Sequence, residues 1–246
     1  MRCFLDTVET IEEGLGFSLF DGTHLAWLAA AVVSIAVNCL LYRKLDAAGR
    51  SRWQKIIAGL IVADELFKMA MLAIGGNYLP GYLPLHLCSI NIFLIAYHAW
   101  KPNDTIGSFL YTVCIPGAIA ALLFPTWTEL PVWNFMHLHS TTIHILLTMY
   151  PMVLAVNGQL KIEVKRIPKC LLLLAGLAVV ALIANLIFDT NFMFLMKAEP
   201  GNPLYVFQQM WGSHLLGFPV LITAVLAVMY CPVALYRKLK KKKASV

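Results

Sequence analysis

Long apolar runs separated by short polar stretches dominate the chain. Seven of them have membrane-spanning length, at about 24–42, 56–74, 83–100, 106–124, 134–156, 170–188 and 210–236. A bilayer core takes about 20 mainly apolar residues of helix. Lipid offers no partner to unpaired backbone groups, so each run is predicted to be helical. The second run is interrupted by Asp64, Glu65 and Lys68, the fourth holds Pro116, and the fifth holds three histidines and Pro151. The expected fold is therefore all-α: a single polytopic membrane domain of seven transmembrane helices, ending in a basic tail from 237 to 246. Seven spans use roughly 140 residues, which leaves too little for a second folded domain.

The connecting segments orient this bundle. The first loop carries Arg43, Lys44, Arg50, Arg52 and Lys55 against Asp46. The fifth carries Lys161, Lys165, Arg166 and Lys169 against Glu163. The tail adds Arg237, Lys238, Lys240, Lys241, Lys242 and Lys243, whereas 75–82 and 125–133 have no Lys or Arg. Basic and bare segments alternate, so the positive-inside rule places the N-terminus outside and the C-terminus in the cytoplasm. The first 23 residues hold Asp6, Glu9, Glu12, Glu13 and Asp21 and lack the basic start and apolar core of a signal peptide. Between Asp189 and Gln209, Phe192, Met193, Phe194 and Leu195 mix with Asp189, Lys197 and Glu199. That segment is expected to lie on or dip into the outer leaflet as a lid.

Composition agrees with this pattern. Of 246 residues, 60% are hydrophobic and 13% charged, and mean hydropathy is +0.74. A soluble domain runs at about 45–50% apolar and about 25% charged. A soluble enzyme, a disordered tail and a free nucleic-acid binder are excluded. The net charge of +6 collects in loops and tail, where it anchors a cytoplasmic face. Six cysteines (Cys3, Cys39, Cys88, Cys114, Cys170 and Cys231) fall mostly in apolar runs with no CxxC pair, so packing is their default role.

Polar groups inside spans cost about 2.5–3.5 kcal/mol each at mid-helix on insertion scales, so each needs a partner or a task. Asp64, Glu65 and Lys68 are spaced to pair on one helix. They form either a self-neutralised cluster or a polar cavity wall in which Lys68 meets a phosphate or carboxylate. His86, Cys88, Ser89 and Asn91 open the third span. A thiol at a helix N-terminus is favoured as thiolate, which suits a nucleophile; packing is the alternative for Cys88. In the fifth span His137, Ser140 or Thr141, and His144 share a face, and His139 points elsewhere. His144 is a candidate general base, structural histidine or metal ligand. His214, with Gln208, Gln209 and Ser213, sits at the outer end of the last span, near Asn185, Asp189 and Asn191. One outward-biased polar cavity would unite these groups. There, Cys88 with His144 as base, oriented by Ser140 or Asn91, could carry acyl transfer. A zinc hydrolase would draw on His86, His137, His144 and His214, but H-x-H-x4-H is no standard zinc spacing. The last span has no lysine for a retinal Schiff base. A transporter or non-catalytic binder also fits the pattern.

The stretch Leu83-Pro-Leu-His-Leu-Cys-Ser89, the Phe124-Pro125 end of the fourth span, the His-rich fifth span and Asp189-Thr-Asn-Phe-Met-Phe-Leu195 resemble the YwaF-like bacterial integral membrane proteins. That family is similar in turn to a eukaryotic cysteine-dependent transmembrane ether-phospholipid acyltransferase. The resemblance implies a nucleophile at Cys88 and a histidine base about two spans later, nearest to His144. Ser140-Thr141-Thr142 stands where many relatives have Ser-His-Gly, so His139 and His137 stay open as alternatives for the base. A lipid acyltransferase or acyl hydrolase acting on phospholipid or lysophospholipid is expected, in a bacterial plasma membrane and without cofactor or metal. Lys68, His86, Asn91, His137, His139, Ser140 and His214 are the expected substrate-side residues.

Overall fold

The computed structural model describes residues 3–198 and 202–244, the side chains of 236, 237 and 239–244 excepted. Its regular elements are helices: α1 (Gly22–Arg43), α2 (Ala47–Ile74), α3 (Leu87–Trp100), α4 (Asp104–Phe109), α5 (Ile115–Leu123), α6 (Phe135–Val156), α7 (Ile167–Phe188), α8 (Pro203–Trp211) and α9 (Gly217–Ala244). Six helical stretches among the described residues are long and apolar enough to cross a membrane: Gly22–Arg43, Pro80–Trp100, Asp104–Leu123, Phe135–Val156, Val164–Phe188 and His214–Leu235. The expected second span, α2, is not one of them, because Asp64, Glu65 and Lys68 all fall within its apolar stretch. The expected last span divides into α8 and α9, broken at Gly212, which has φ of +71°. The basic side chains of Arg237 and Lys240–Lys243, and Glu199 of the expected lid, lie outside the described residues.

Helix ends follow local chemistry. Asp21, Asp46, Asn103, Asn134 and Asn202 cap α1, α2, α4, α6 and α8, each accepting first-turn N–H groups. The N–H of His24, then that of Ser18, hold the Asp21 carboxyl below its ordinary range. Prolines inside spans are absorbed in two ways. A π-helical turn, Leu110–Cys114, links α4 to α5 just before Pro116. Pro151 in α6 has no N–H for the carbonyl of Leu147, and the Cys114 thiol donates to that carbonyl instead, at 3.4 Å.

The central element is α6. It packs against α1, α2, α3 and α5, and 67% of its apolar window is buried, against 11% for α1, 17% for α7 and 6% for α9. The outer helices present apolar side chains such as Val32, Leu172, Leu186 and Ile187 outward, as a lipid-facing surface requires.

Two further apolar clusters sit at one end of the bundle. In the first, Phe4, Leu5, Ile11 and Phe17 pack on Leu72, Trp127, Leu130, Phe135 and Met136. The acidic N-terminal segment is thus a folded strap over α2 and α6. Asn134 Nδ2 donates to the carbonyls of Cys3 (2.7 Å) and Asp6 (2.8 Å), Asn77 Nδ2 to that of Leu5 (3.0 Å), and Phe17 N to that of Thr128 (2.8 Å). In the second, Phe192 is fully buried against Ala181 and Ala184, with Leu83 and Leu85 beside it. Within the expected lid, Phe192 therefore turns inward against α7. Asn185 holds it there: its Oδ1 accepts from Phe192 N (2.6 Å) and Thr190 Oγ1 (3.0 Å), and its Nδ2 donates to Phe192 O (3.1 Å).

Candidate functional site

The polar residues of α2, α3 and α6 form adjoining groups. One cleft of about 10 Å³, room for one water, lies between Phe17, His24, Trp27, Leu122 and Trp127.

The α2 charges point at α6. Lys68 Nζ donates to Glu65 Oε1 at 2.5 Å, with both side chains buried. Asp64 turns to α6, where Thr142 Oγ1 donates to its Oδ2 at 3.2 Å and His139 Nδ1 stands 3.3 Å from the same oxygen. The other ring nitrogen, His139 Nε2, stands 3.7 Å from Glu65 Oε2. Neither contact has hydrogen-bond geometry, so His139 Nδ1 and Glu65 Oε2 are buried without a hydrogen bond. Lys68 thus pairs at i,i+3 with Glu65, not at i,i+4 with Asp64. Its ammonium has a carboxylate partner on its own helix. His86 lies within electrostatic range of it.

The α6 histidines divide by face, as the 100° step dictates. His139 meets α2. His137 meets the strap: its ring is edge-on to Phe17 at 5.0 Å, its Nδ1 is 3.3 Å from Leu130 O, and its Nε2 is buried without a partner. His144 stacks on Trp127 with ring centroids 5.3 Å apart. Its Nδ1 lies 2.5 Å from the backbone carbonyl of Ser140. A carbonyl only accepts, so Nδ1 carries the hydrogen, and in the neutral ring Nε2 keeps its lone pair. The Ser140 backbone, rather than its hydroxyl or Asn91, orients this ring. Asp64 and His139 lie in electrostatic range of His144.

Cys88 is the second residue of α3, which starts after His86. Its side chain packs half-buried against the main core. The first backbone bond of the helix is Ile90 N to His86 O at 3.0 Å. The N–H groups of Leu87, Cys88 and Ser89 therefore have no acceptor among the described residues. The His86 ring is edge-on to Phe192 at 5.2 Å, so the 192–195 segment braces the start of α3. Asn91, one turn on, is buried with its Oδ1 unpartnered. No hydrogen bond joins Cys88 to His144 among the described residues. His214 is buried in the turn between α8 and α9, its Nε2 also unpartnered, and hydrogen-bonds none of the other candidates. His86, His137, His144 and His214 face different neighbours, and no group of three His, Cys, Asp or Glu among the described residues is arranged to hold a metal.

Sequence reasoning missed Asp64 and Glu65 as partners of His139, and Asn185 as the clamp on Phe192. An Asn in an otherwise apolar span was the available signal for the clamp.

A family model describing the TMEM164 family matches residues 19–230. The chain belongs to the TMEM164 family. The match runs from just before α1 into α9, so it takes in every candidate residue above, and it makes this an integral membrane protein by family as well as by its apolar helices. It does not carry the YwaF-like label drawn from the third-span and Asp189–Leu195 motifs. Searches of the curated proteins and of the solved structures return no match.

Proposed function

We propose that this TMEM164-family protein is a membrane-embedded lipid acyltransferase or acyl hydrolase acting on phospholipid acyl chains, with Cys88 as nucleophile and His144 as general base. The observation that carries the reading is the local setting of two groups, one on α3 and one on α6. Cys88 sits in the first turn of α3 among three N–H groups without acceptors. His144 is held in the tautomer that leaves Nε2 basic. The thiol proton passes to His144 Nε2 as the sulfur attacks the ester carbonyl. The free N–H groups of α3 stabilise the oxyanion, and the lipid alkoxide leaves with the proton from His144. A lysophospholipid hydroxyl or water then takes the acyl group from the thioester.

The same reading makes α2 a seventh crossing. Its start meets the ends of α1 and α6, where Gln54 Nε2 donates to Tyr42 OH at 2.8 Å and to Gln159 Oε1 at 3.1 Å. Its far end meets the strap through Asn77 and Leu5. The N-terminus is then outside and the site lies toward the outer leaflet of a bacterial plasma membrane.

The test is purified protein in lipid, with labelled phospholipid and lysophospholipid, following the acyl chain by mass spectrometry. Cys88→Ala is expected to abolish acyl movement, and His144→Ala to slow it by about 10²–10⁴-fold. Unchanged turnover in Cys88→Ala removes the mechanism. A second reading, non-catalytic binding or transport, draws on the buried α2 charges. It predicts retained ligand, no acyl movement in the wild type and sensitivity to Asp64 or Lys68 substitution.

A further inference from the structure

The α2–α6 charge cluster takes no part in the proposed chemistry, yet its composition and geometry are specific. It holds two carboxylates, Asp64 and Glu65, one ammonium, Lys68, and one imidazole, His139. Their side chains are 6–17% exposed. If the imidazole is neutral the cluster carries one uncompensated negative charge inside the bundle, which burial strongly disfavours.

The ring is also placed between two acceptors. Its Nδ1 faces Asp64 Oδ2 at 3.3 Å and its Nε2 faces Glu65 Oε2 at 3.7 Å. An ionised carboxylate only accepts, so both approaches are attractive only when both ring nitrogens bear hydrogen. The neutral ring would set one lone pair against a carboxylate oxygen. Glu65 Oε2, buried and without a hydrogen bond, marks where a donor is wanted, and His139 Nδ1, buried likewise, has Asp64 Oδ2 as its nearest acceptor. Packing this close admits a proton rather than a headgroup.

We propose that Asp64, Glu65, Lys68 and His139 form a buried proton-binding site, with the proton held by His139 as an imidazolium between the two carboxylates. No bond between heavy atoms forms or breaks: the proton comes from water and returns to it. The groups around His139 are few. From α2 come Asp64, Glu65 and Lys68, and on α6 itself the Thr142 hydroxyl holds Asp64. His144 lies in electrostatic range on the same helix and His86 of α3 in range of Lys68. The elements α1 and α5 send no charged side chain here; His24 of α1 is committed to Leu122 O at 2.7 Å.

The inference does not rest on the acyl-transfer reading. It does separate the roles of two histidines, because a fixed imidazolium cannot serve as the base. It also gives α2, whose apolar stretch holds three charged residues, an electrostatic tie to α6 that depends on a bound proton.

The experiment is nitrogen-15 NMR of the full chain in lipid nanodiscs with labelled histidine, the His139 signals being assigned by their loss in His139→Gln. The expected wild-type result near neutral pH is a ring protonated at both nitrogens. In the combined variant Asp64→Asn, Glu65→Gln the same ring is expected to be neutral at the same pH. A neutral single tautomer in the wild type overturns the proposal, and so does an imidazolium that persists once both carboxylates are gone. The wild-type spectrum decides the first point even if the combined variant does not fold.

Discussion

Three histidines within eight residues of one helix end in three environments: an aromatic strap for His137, two carboxylates for His139 and an indole face for His144. Helical geometry made part of this legible. A step of 100° per residue sets His139 apart from the face shared by His137 and His144. The partners were not legible, because they come from α2 and from the loop before α6, and spacing along one helix carries no information about its neighbours. Lys68 shows the same limit: both acids lie within reach on its own helix, and the choice of Glu65 follows from Asp64 turning toward α6. The cluster makes a quantitative prediction. Lys68→Met leaves buried carboxylates short of a cation and is expected to cost about 3–5 kcal/mol. Glu65→Gln combined with Lys68→Met removes one charge of each sign and should cost clearly less than Lys68→Met alone. Reversible unfolding in mixed micelles measures both, and equal losses would mean that the two charges are not coupled.

At the scale of elements, six of the seven apolar runs correspond to helical stretches long and apolar enough to cross a membrane, and the differences have physical causes. The last span starts later than its hydropathy because Gly212 and the 214–216 turn break the run. The fourth contains a π turn that no periodicity announces. The 189–195 segment reads as a surface lid by composition, but Asn185 draws Phe192 inward. The N-terminal strap was missed because its four apolar anchors are scattered among acids with no regular period. Two predictions belong here. Asn185→Ala strips three hydrogen bonds from the clamp and should lower stability by about 1–3 kcal/mol for each buried group left unpaired. Thermal unfolding would show this, and an unchanged midpoint would remove the clamp from the account. Asn134→Ala removes both the α6 cap and the ties to Cys3 and Asp6. It should raise hydrogen exchange across residues 3–17 while α6 beyond its first turn stays protected. Exchange that rises uniformly through α6 would mean that the strap is not a separate unit.

For the whole molecule, helix connections divide into two sets. One set carries Arg43, Lys44, Lys101, Lys161, Lys165, Arg166 and Lys169; the opposite set, with the strap and the candidate site, carries Lys197 among the described residues. The proposed topology therefore predicts that Ser18→Cys reacts with a membrane-impermeant maleimide added outside intact cells, and that Lys165→Cys reacts only after permeabilisation. The reverse labelling would invert the protein and place Cys88 toward the cytoplasm. All-helical architecture and membrane residence were readable from hydropathy alone, because lipid penalises unpaired backbone so heavily. What the site does was not, because the proposed nucleophile and base lie on helices nearly sixty residues apart, with no hydrogen bond between them among the described residues.

The central claim, acyl transfer through Cys88, is tested most directly by looking for its covalent intermediate. Wild-type protein would be mixed briefly with phospholipid, quenched in acid and measured by intact mass and peptide mapping. The account predicts one acyl chain on the peptide carrying Cys88, released by hydroxylamine, absent in Cys88→Ala and still formed, more slowly, in His144→Ala. Acyl movement without any adduct on Cys88, or an adduct on another residue, would contradict it.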